Sequence, residues 1–290
     1  METNRRTFIA TLAAAAVAIA KPGKVTVAAH PWVYAATRPH NDTYEILGAI
    51  MEDMSAAGMD AIELMGDVLA HDGAVERISE LSRRNHVPVL GMSYSAAMWD
   101  RAQHPAILKE TQVLIPRLAK LGGRTMGTTV GSAGKRKTAE QLDAQAEVLR
   151  KIIAICRDNG VVLNLHNHTF EVKDGEYDLK GTLERIPDVK LGPDLNWLLR
   201  AGVDPVDFIH RYRDRIVFAH LRDQKKDGKW PEAMGEGDMD YAAVGKAFHE
   251  IPFTGDLAIE LAHERGFTPT RPLRESLRMS REYVRRVMGY

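Results

Sequence analysis

The feature that most limits the fold of this 290-residue chain is a regular alternation of short apolar, β-branched runs with longer segments of helical period. The strand-like runs lie at 25–29, 60–64, 87–92, 125–129, 161–165, 189–192, 216–219 and 256–260. The helix-like segments lie at 43–57, 73–84, 104–121, 138–159, 179–186, 205–212, 241–249 and 272–287. Strands that alternate with helices in this way predict an α/β protein with a parallel sheet.

Eight strand-then-helix units in about 265 residues are what a closed (β/α)8 barrel requires. The alternative, a doubly wound open sheet, usually carries a Gly-rich phosphate loop after its first strand, and none follows Val25 to Ala29. The glycine-containing stretches at 122–123 and 131–134 are no longer than turns, so no linker divides the chain. We therefore predict a single TIM barrel domain over residues 21–290.

The first twenty residues differ from the rest and predict an export signal. Arg5-Arg6 precede an uncharged, Ala-rich stretch that ends in Ala18-Ile19-Ala20. A basic start, a short apolar stretch and a small-x-small end are typical of a cleavable signal peptide, and the paired arginines resemble the twin-arginine type of bacteria. Because the uncharged stretch is shorter than the about 20 residues of a membrane span, we expect no stable membrane insertion after cleavage. We therefore expect export to the periplasm. The alternative is that the segment stays uncleaved and anchors the chain in the membrane.

Composition narrows the partners of the chain. Thirty-nine basic and 39 acidic residues leave a formal net charge of zero. Sequence-independent binding to nucleic acid depends on an excess of Lys and Arg, so we expect no nucleic-acid partner. The single cysteine, Cys156, cannot form an internal disulfide, and its apolar helical surroundings favour a buried structural role. We therefore expect a small-molecule partner. A homo-oligomer is compatible with the same composition.

Polar side chains that can bind a metal follow nearly every strand. Barrel enzymes carry their chemistry at the C-terminal ends of the strands. Those ends hold His30, Glu63, Ser93, Thr128, His166, His168, Asp194, His220, Asp223, Glu260 and His263. Taken alone, Asp194 could be a helix cap, His220 a core histidine and Glu260 a carboxylate that reaches water. Their joint placement with His166, on strands five to eight, favours a metal site instead.

Two imidazoles and two carboxylates form a mixed donor set. Such a set suits Mn²⁺, Co²⁺, Zn²⁺ or Fe²⁺ better than Ca²⁺, which prefers oxygen ligands alone. We predict one divalent metal ion bound by His166, Asp194, His220 and Glu260, with manganese, cobalt or zinc favoured over calcium.

From strand five onward the chain resembles the xylose isomerase-like superfamily of sugar isomerases, epimerases and related endonucleases. The resemblance rests on the ordered segments 165–171 (LHNHTFE), 192–197 (GPDLNW), 201–205 (AGVDP), 215–223 (RIVFAHLRD), 235–240 (GEGDMD) and 258–260 (AIE). It implies one metal on residues that end strands five to eight, usually Glu, Asp, His and Glu. Asp194, His220 and Glu260 match the last three. His166 departs from the commoner glutamate, as in a subgroup with His-Asn-His followed by Phe-Glu.

This departure affects the implied chemistry. Epimerases of the superfamily use two metal-bound glutamates on opposite faces of the sugar, whereas a metal-bound imidazole is a poor base. A neutral ligand also makes the metal a stronger Lewis acid. We expect an isomerase or epimerase type of enzyme that removes a proton next to a carbonyl through a metal-stabilised enediolate. Glu260 is the first candidate for the base, with His168 or Glu171 as the second proton-transfer group. β-Elimination from a 3-keto glycoside is the alternative.

The expected partner of this site is a small-molecule sugar or glycoside. The sugar pocket is predicted to contain His30, Trp32, Glu63, Trp197, Arg222 and Trp230. If the segment 225–230 closes over the sugar, Trp230 would exclude water and Glu236 could approach the site. The alternative from a different functional class is an exported protein that binds a sugar without catalysing a reaction. A DNA endonuclease of the same fold is disfavoured by the neutral charge and the export signal.

Overall fold

Eight parallel strands form the centre of the structure, a computed structural model that describes residues 25–290. The strands are β1 Val27–Ala29, β2 Ala61–Met65, β3 Val89–Ser95, β4 Thr125–Thr129, β5 Val162–Leu165, β6 Lys190–Leu191, β7 Phe218–Leu221 and β8 Asp256–Ile259. Their order is β6-β5-β4-β3-β2-β1-β8-β7, and single bridges at Leu191–Ile216 and Asp194–His220 join β6 to β7. The predicted (β/α)8 barrel is therefore confirmed. The predicted signal peptide at 1–20 lies outside the described residues.

Helices follow the strands and cover the barrel from outside. They are α1 Trp32–Ala35, α2 Leu47–Ala56, α3 Ala74–Asn85, α4 His104–Lys120, α5 Ala139–Asp158, α6 Thr169–Arg185, α7 Leu195–Arg200, α8 Pro205–Arg211, α9 Tyr241–Glu250 and α10 Leu273–Tyr283. Four short 3-10 segments lie at Pro39–Asn41, Tyr44–Ile46, Gly66–Ala70 and Arg101–Gln103, and a π turn at Val284–Met288 follows α10. Within residues 25–290, no helix is both long and apolar enough to span a bilayer.

The sequence prediction lacked α1 and α7 and placed the start of α6 too late, and polar caps explain α6 and α7. The helix predicted at 179–186 begins ten residues earlier, at Thr169, and non-helical dihedrals interrupt it at Lys173–Glu176. The Glu171 carboxylate accepts a hydrogen bond from the backbone N–H of His168 and so organises the first turn. The unpredicted α7 begins at Asp194, whose Oδ1 accepts the N–H groups of Asn196 and Trp197.

The barrel interior begins with a small apolar layer. Ala28, Ala61, Leu90, Phe218 and Ala258, from five different strands, form a buried cluster separate from the core that lies between strands and helices. Side chains in such a layer fill the barrel interior, which is therefore a packed core and not an open pore. Because successive strand residues point to opposite faces, residues two positions further along β1, β2, β7 and β8 also point inward, and there the interior changes from apolar to polar.

Candidate active site

The second interior layer carries the predicted site. Two residues beyond Ala28, Ala61, Phe218 and Ala258 stand His30, Glu63, His220 and Glu260. On the other side of the barrel, His166 follows the buried Asn164 by two residues, and Asp194 follows Gly192 by two. The period of the strands thus brings side chains from β1, β2, β5, β6, β7 and β8 to one level at the C-terminal end of the barrel.

Three of the four predicted metal ligands meet at this level. One donor atom from each of His166, Asp194 and His220 lies within 4.8 Å of the other two. Asp194 uses Oδ1 to cap α7, at 2.9 Å from the N–H of Asn196 and 3.0 Å from that of Trp197. Its Oδ2 remains directed to the site. The sequence analysis treated helix cap and metal ligand as alternative roles for Asp194. The structure shows that its two oxygens are compatible with both roles at once.

His220 lies between two carboxylates. Its Nε2 is 2.5 Å from Oε2 of Glu63, and its Nδ1 is 2.6 Å from Oε2 of Glu260. The second of these approaches lacks the geometry of a hydrogen bond, so Nδ1 is a buried polar atom without a hydrogen-bond partner in the part of the chain that the structure describes. Burial lowers the pKa of His220, but the negative charges of Glu63 and Glu260 outweigh burial and raise this pKa well above its usual range.

Arg222 joins the carboxylates of the site. Its Nη2 forms an ion pair with Oε1 of Glu260 and lies 3.4 Å from Oδ2 of Asp194. Burial raises the pKa of both acids. For Glu260 burial is the largest single effect, but the positive charges of Arg222, His30 and His220 together outweigh it and hold the pKa well below its ordinary value, whereas the pKa of Asp194 stays raised. Arg222, predicted to bind the sugar, therefore also has an electrostatic role, and Glu260 is paired with it instead of standing within the three-residue group.

The charges and donors of this layer fit a divalent cation. Glu63, Asp194 and Glu260 supply three negative charges in buried positions, and Arg222 supplies one positive charge. Burying unpaired charge is costly. A divalent cation that takes the place of the extra proton on His220 would bring the sum to zero, and Nδ1 of His220, which has no hydrogen-bond partner among residues 25–290, is the atom that could bind it. His166, Asp194 and His220 could hold the ion, with Glu260 next to them.

Two further histidines are neutral imidazoles. Burial lowers the pKa of His166 well below its usual range, with the neighbouring His220 and His168 adding to the effect. Burial lowers the pKa of His168 to about 4. Each ring therefore offers a lone pair at neutral pH, as metal binding and proton acceptance require.

Glu171 does not reach the sugar site, contrary to its prediction as a proton-transfer residue. Its side chain points behind His168, where Oε2 accepts the N–H of His168 at 2.7 Å and Oε1 lies 3.4 Å from the N–H of Val130. Burial raises its pKa to about 8. Glu171 positions the backbone that carries His168 instead.

A cleft of about 530 Å³ opens above the polar layer. Its lining includes all six predicted sugar-pocket residues, namely His30, Trp32, Glu63, Trp197, Arg222 and Trp230. Glu63, however, lies on the floor and contacts His220 rather than standing on a wall. The rings of Trp197 and Trp230 meet edge to face at 5.8 Å, and Trp230 Nε1 donates to Oδ1 of Asn196. A volume of this size is usual for a small-molecule site.

The sequence prediction missed several residues of the cleft. Asp67, Tyr94, Ser95, Glu110 and Thr129 also line it, as does His263, which the sequence analysis placed at a strand end. Tyr94 donates to Glu110 at 2.7 Å, and the hydroxyls of Ser95 and Thr129 are 2.8 Å apart. Ser95 and Thr129 end β3 and β4, so their positions at strand ends were the signal that could have found them.

The long segment between β7 and α9 forms one wall of the cleft. The buried carboxylate of Asp223 accepts the backbone N–H groups of Gln224, Gly235, Gly237 and Met239. Trp230 lines the cleft as predicted. Glu236 does not approach the site, because its carboxylate pairs with Arg271.

Comparisons with known proteins agree with this architecture. A D-psicose 3-epimerase solved in the presence of D-fructose superimposes with a TM-score of 0.72 at 15% identity, over 92% of this chain and 100% of that one. A 3-keto-D-glucoside 4-epimerase from E. coli superimposes with a TM-score of 0.67 at 16% identity, over 89% and 100%. A sugar phosphate isomerase/epimerase from Parabacteroides distasonis gives 0.71 at 17% identity, over 93% and 96%.

A curated relative and a family model complete the comparison. The inosose dehydratase of Geobacillus kaustophilus is 24% identical over 176 residues, 54% of this chain and 56% of that protein. The match therefore spans little more than half of that relative's length. The model of the xylose isomerase-like TIM barrel matches residues 51–283. The chain belongs to the xylose isomerase-like TIM barrel family.

Proposed function

We propose that this protein is a divalent-metal-dependent sugar isomerase or epimerase type of enzyme that removes a proton from the carbon next to a carbonyl. The observation that carries the proposal is the meeting of His166, Asp194 and His220 within 4.8 Å, beside the Glu260 carboxylate, at the floor of a sugar-sized cleft. The named activities of the similar proteins, epimerisation of ketoses and of a 3-keto glucoside, support this chemistry.

The chain's own residues have separate roles in this proposal. A divalent ion held by the donor set would supply a Lewis acid that polarises the sugar carbonyl. Glu260, which the combined positive charges of Arg222, His30 and His220 keep ionised, takes the proton from the carbon. His168 lines the same cleft as a neutral imidazole whose Nδ1 has no hydrogen-bond partner among the described residues, and it exchanges the second proton. The tryptophans orient the ring and exclude water.

Exchange of substrate hydrogen with solvent tests the proposal. In D₂O with added Mn²⁺, Co²⁺ or Zn²⁺, we expect NMR to detect deuterium entering a ketose or a 3-keto glucoside next to the carbonyl. Glu260→Gln should reduce the exchange by at least about a hundredfold, the usual contribution of a general base. Asp256→Asn, a carboxylate at the opposite end of β8 that pairs with Arg124, is the matched control. No exchange with any metal and any of these substrates would refute the proposal.

β-Elimination from a 3-keto glycoside is the second candidate. It is favoured by His166, a neutral ligand in place of a carboxylate, and by the dehydratase among the relatives, an enzyme that by its name eliminates water. It begins with the same proton removal and ends with loss of the group at the β-carbon. Release of the aglycone from a 3-keto glucoside without isomerised sugar would select this reaction. A non-catalytic sugar binder would keep its affinity in Glu260→Ala and show neither product.

We propose in addition that the chain is exported to the periplasm through the twin-arginine-like segment at its start. Cell fractionation tests this independently of activity. The double change Arg5→Lys and Arg6→Lys should move the protein to the cytoplasmic fraction. Equal periplasmic amounts of the parent and the double variant would contradict the proposal.

A further inference from the structure

A second depression continues from the cleft across the barrel mouth. This outer groove of about 530 Å³ shares Ser95, Thr129, His168 and Trp197 with the cleft and extends over Ser132 and Lys173. It lies on the side of β4 and the start of α6, away from Trp32 and His263. Because four side chains border both spaces, the cleft and the outer groove are directly adjacent.

Two polar atoms without partners mark the junction. Trp197 Nε1 and His168 Nδ1 are both buried, and neither has a hydrogen-bond partner among residues 25–290. The two rings are 5.5 Å apart between centroids. A buried indole N–H is a donor only, and an unpaired buried donor is unfavourable. An acceptor oxygen of a ligand that crosses the junction would satisfy it.

The outer groove has the chemistry of a sugar-binding surface. Phe170, whose ring stacks on that of His168 at 5.7 Å and 11°, and Trp197 provide aromatic surface. The hydroxyls of Ser95, Thr129 and Ser132 and the ammonium group of Lys173 provide polar contacts. Aromatic surface combined with hydroxyl groups suits a hydroxylated ring, which has apolar C–H faces and polar edges.

We infer that the outer groove is the subsite for the second ring of a glycoside whose first ring, the one that reacts, lies in the cleft. The oxygen that links the two rings crosses the junction, where the N–H of Trp197 and the imidazole of His168 face it. The substrate class is thus a sugar–sugar glycoside instead of a free monosaccharide. This inference rests on the proposed function, because it takes the cleft to be the site of the reacting ring.

Binding measurements that need no turnover test the inference. On the full chain with Mn²⁺ present, calorimetry compares methyl glucosides with maltose and cellobiose, which add one α- or β-linked ring. We expect at least one disaccharide to bind about tenfold more tightly than the methyl glucoside of the same linkage. Ser132→Trp, which fills the outer groove from an exposed position, should remove this advantage and leave the methyl glucoside within about twofold. Ser55→Trp, an exposed serine on α2, is the control.

The outcomes separate this inference from the proposed function. Equal affinity for mono- and disaccharides, or a Ser132→Trp variant that keeps the tenfold advantage, would overturn the subsite. Tighter binding of phenyl glucoside than of both disaccharides would overturn its assignment to a sugar ring. Lys173→Ala should weaken the binding of disaccharides and leave that of methyl glucosides unchanged. This smaller change tests the outer groove even if Ser132→Trp misfolds. Deuterium exchange into a methyl 3-keto glucoside, measured in parallel, tests the proposed function independently of ligand binding in the outer groove.

Discussion

Glu63 is a buried carboxylate that contacts His220 on the floor of the cleft. The sequence assigned it to the sugar pocket, because it is a carboxylate at the end of a barrel strand. The structure places it in the interior with 0% of its surface exposed, 2.5 Å from His220 Nε2. Gly127 leaves it room, since a Cβ there would lie 3.3 Å from Glu63 Oε1. A carboxylate behind a metal-binding imidazole fixes the orientation of the ring and raises its basicity.

Glu63→Ala is therefore expected to weaken the binding of the divalent metal by about 10–100-fold, the usual effect of losing such a partner. Glu63→Gln should have a smaller effect, because its amide oxygen can still accept from Nε2–H of His220. Titration against a chromophoric chelator measures both affinities without any sugar. Glu110→Gln, a cleft carboxylate bonded to Tyr94, is the control. If Glu63→Ala binds metal as the parent does, Glu63 does not position His220.

At the scale of elements, the sequence predicted the strands better than the helices that carry the site. Apolar runs such as that ending in Ala219 are local signals, so every strand appears within a few residues of its predicted place. The starts of α6 and α7 depend instead on Glu171 and Asp194, single polar side chains that bond backbone N–H groups. The periodic spacing of apolar residues carries no information about these hydrogen bonds, so the sequence prediction placed the start of α6 too late and lacked α7.

The titration of Glu171 gives a prediction for the stability of this part of the barrel. Burial raises its pKa to about 8 in the folded protein, so the folded state binds more protons than the unfolded state between the two pKa values. The free energy of unfolding should then fall as pH rises from about 5 to 8, by up to about 1.4 kcal/mol per unit. Glu171→Gln, which cannot ionise, should flatten this slope in urea titrations. An unchanged slope would show that Glu171 does not titrate in this range.

Asp223 gives a second prediction for an element, the segment that follows β7. Its carboxylate accepts four backbone N–H groups and so holds the wall that carries Trp230. Asp223→Asn replaces one acceptor oxygen by a donor, which would face N–H groups. We expect faster hydrogen exchange and proteolysis within 224–240 and weaker sugar binding, with little change in metal affinity. Loss of metal binding to the same degree would contradict a role confined to this wall.

At the scale of the molecule, a small group of charged residues lies inside the barrel, namely Glu63, Asp194, His220, Arg222 and Glu260. The sequence predicted which strands end in residues that could bind a metal, because strand order and period decide that. It did not predict that Arg222 pairs with Glu260 and Asp194, or that Glu63 reaches His220. Such pairs depend on the distances between side chains from strands far apart in the sequence. The balance of charges, and with it the excess of negative charge that a cation could offset, appears only when the barrel is assembled.

A cation that binds only the folded barrel must stabilise the whole molecule. At a hundredfold excess over its dissociation constant it adds about 2.7 kcal/mol, so calorimetry should show Tm rising by roughly 5–10 °C and a chelator reversing the rise. Asp194→Asn separates the two roles of this residue. Asparagine still caps α7 through its amide oxygen, so Tm with chelator should stay close to that of the parent. The rise on adding metal should shrink, because the charged ligand is gone. An equal rise in the variant would place the cation away from Asp194.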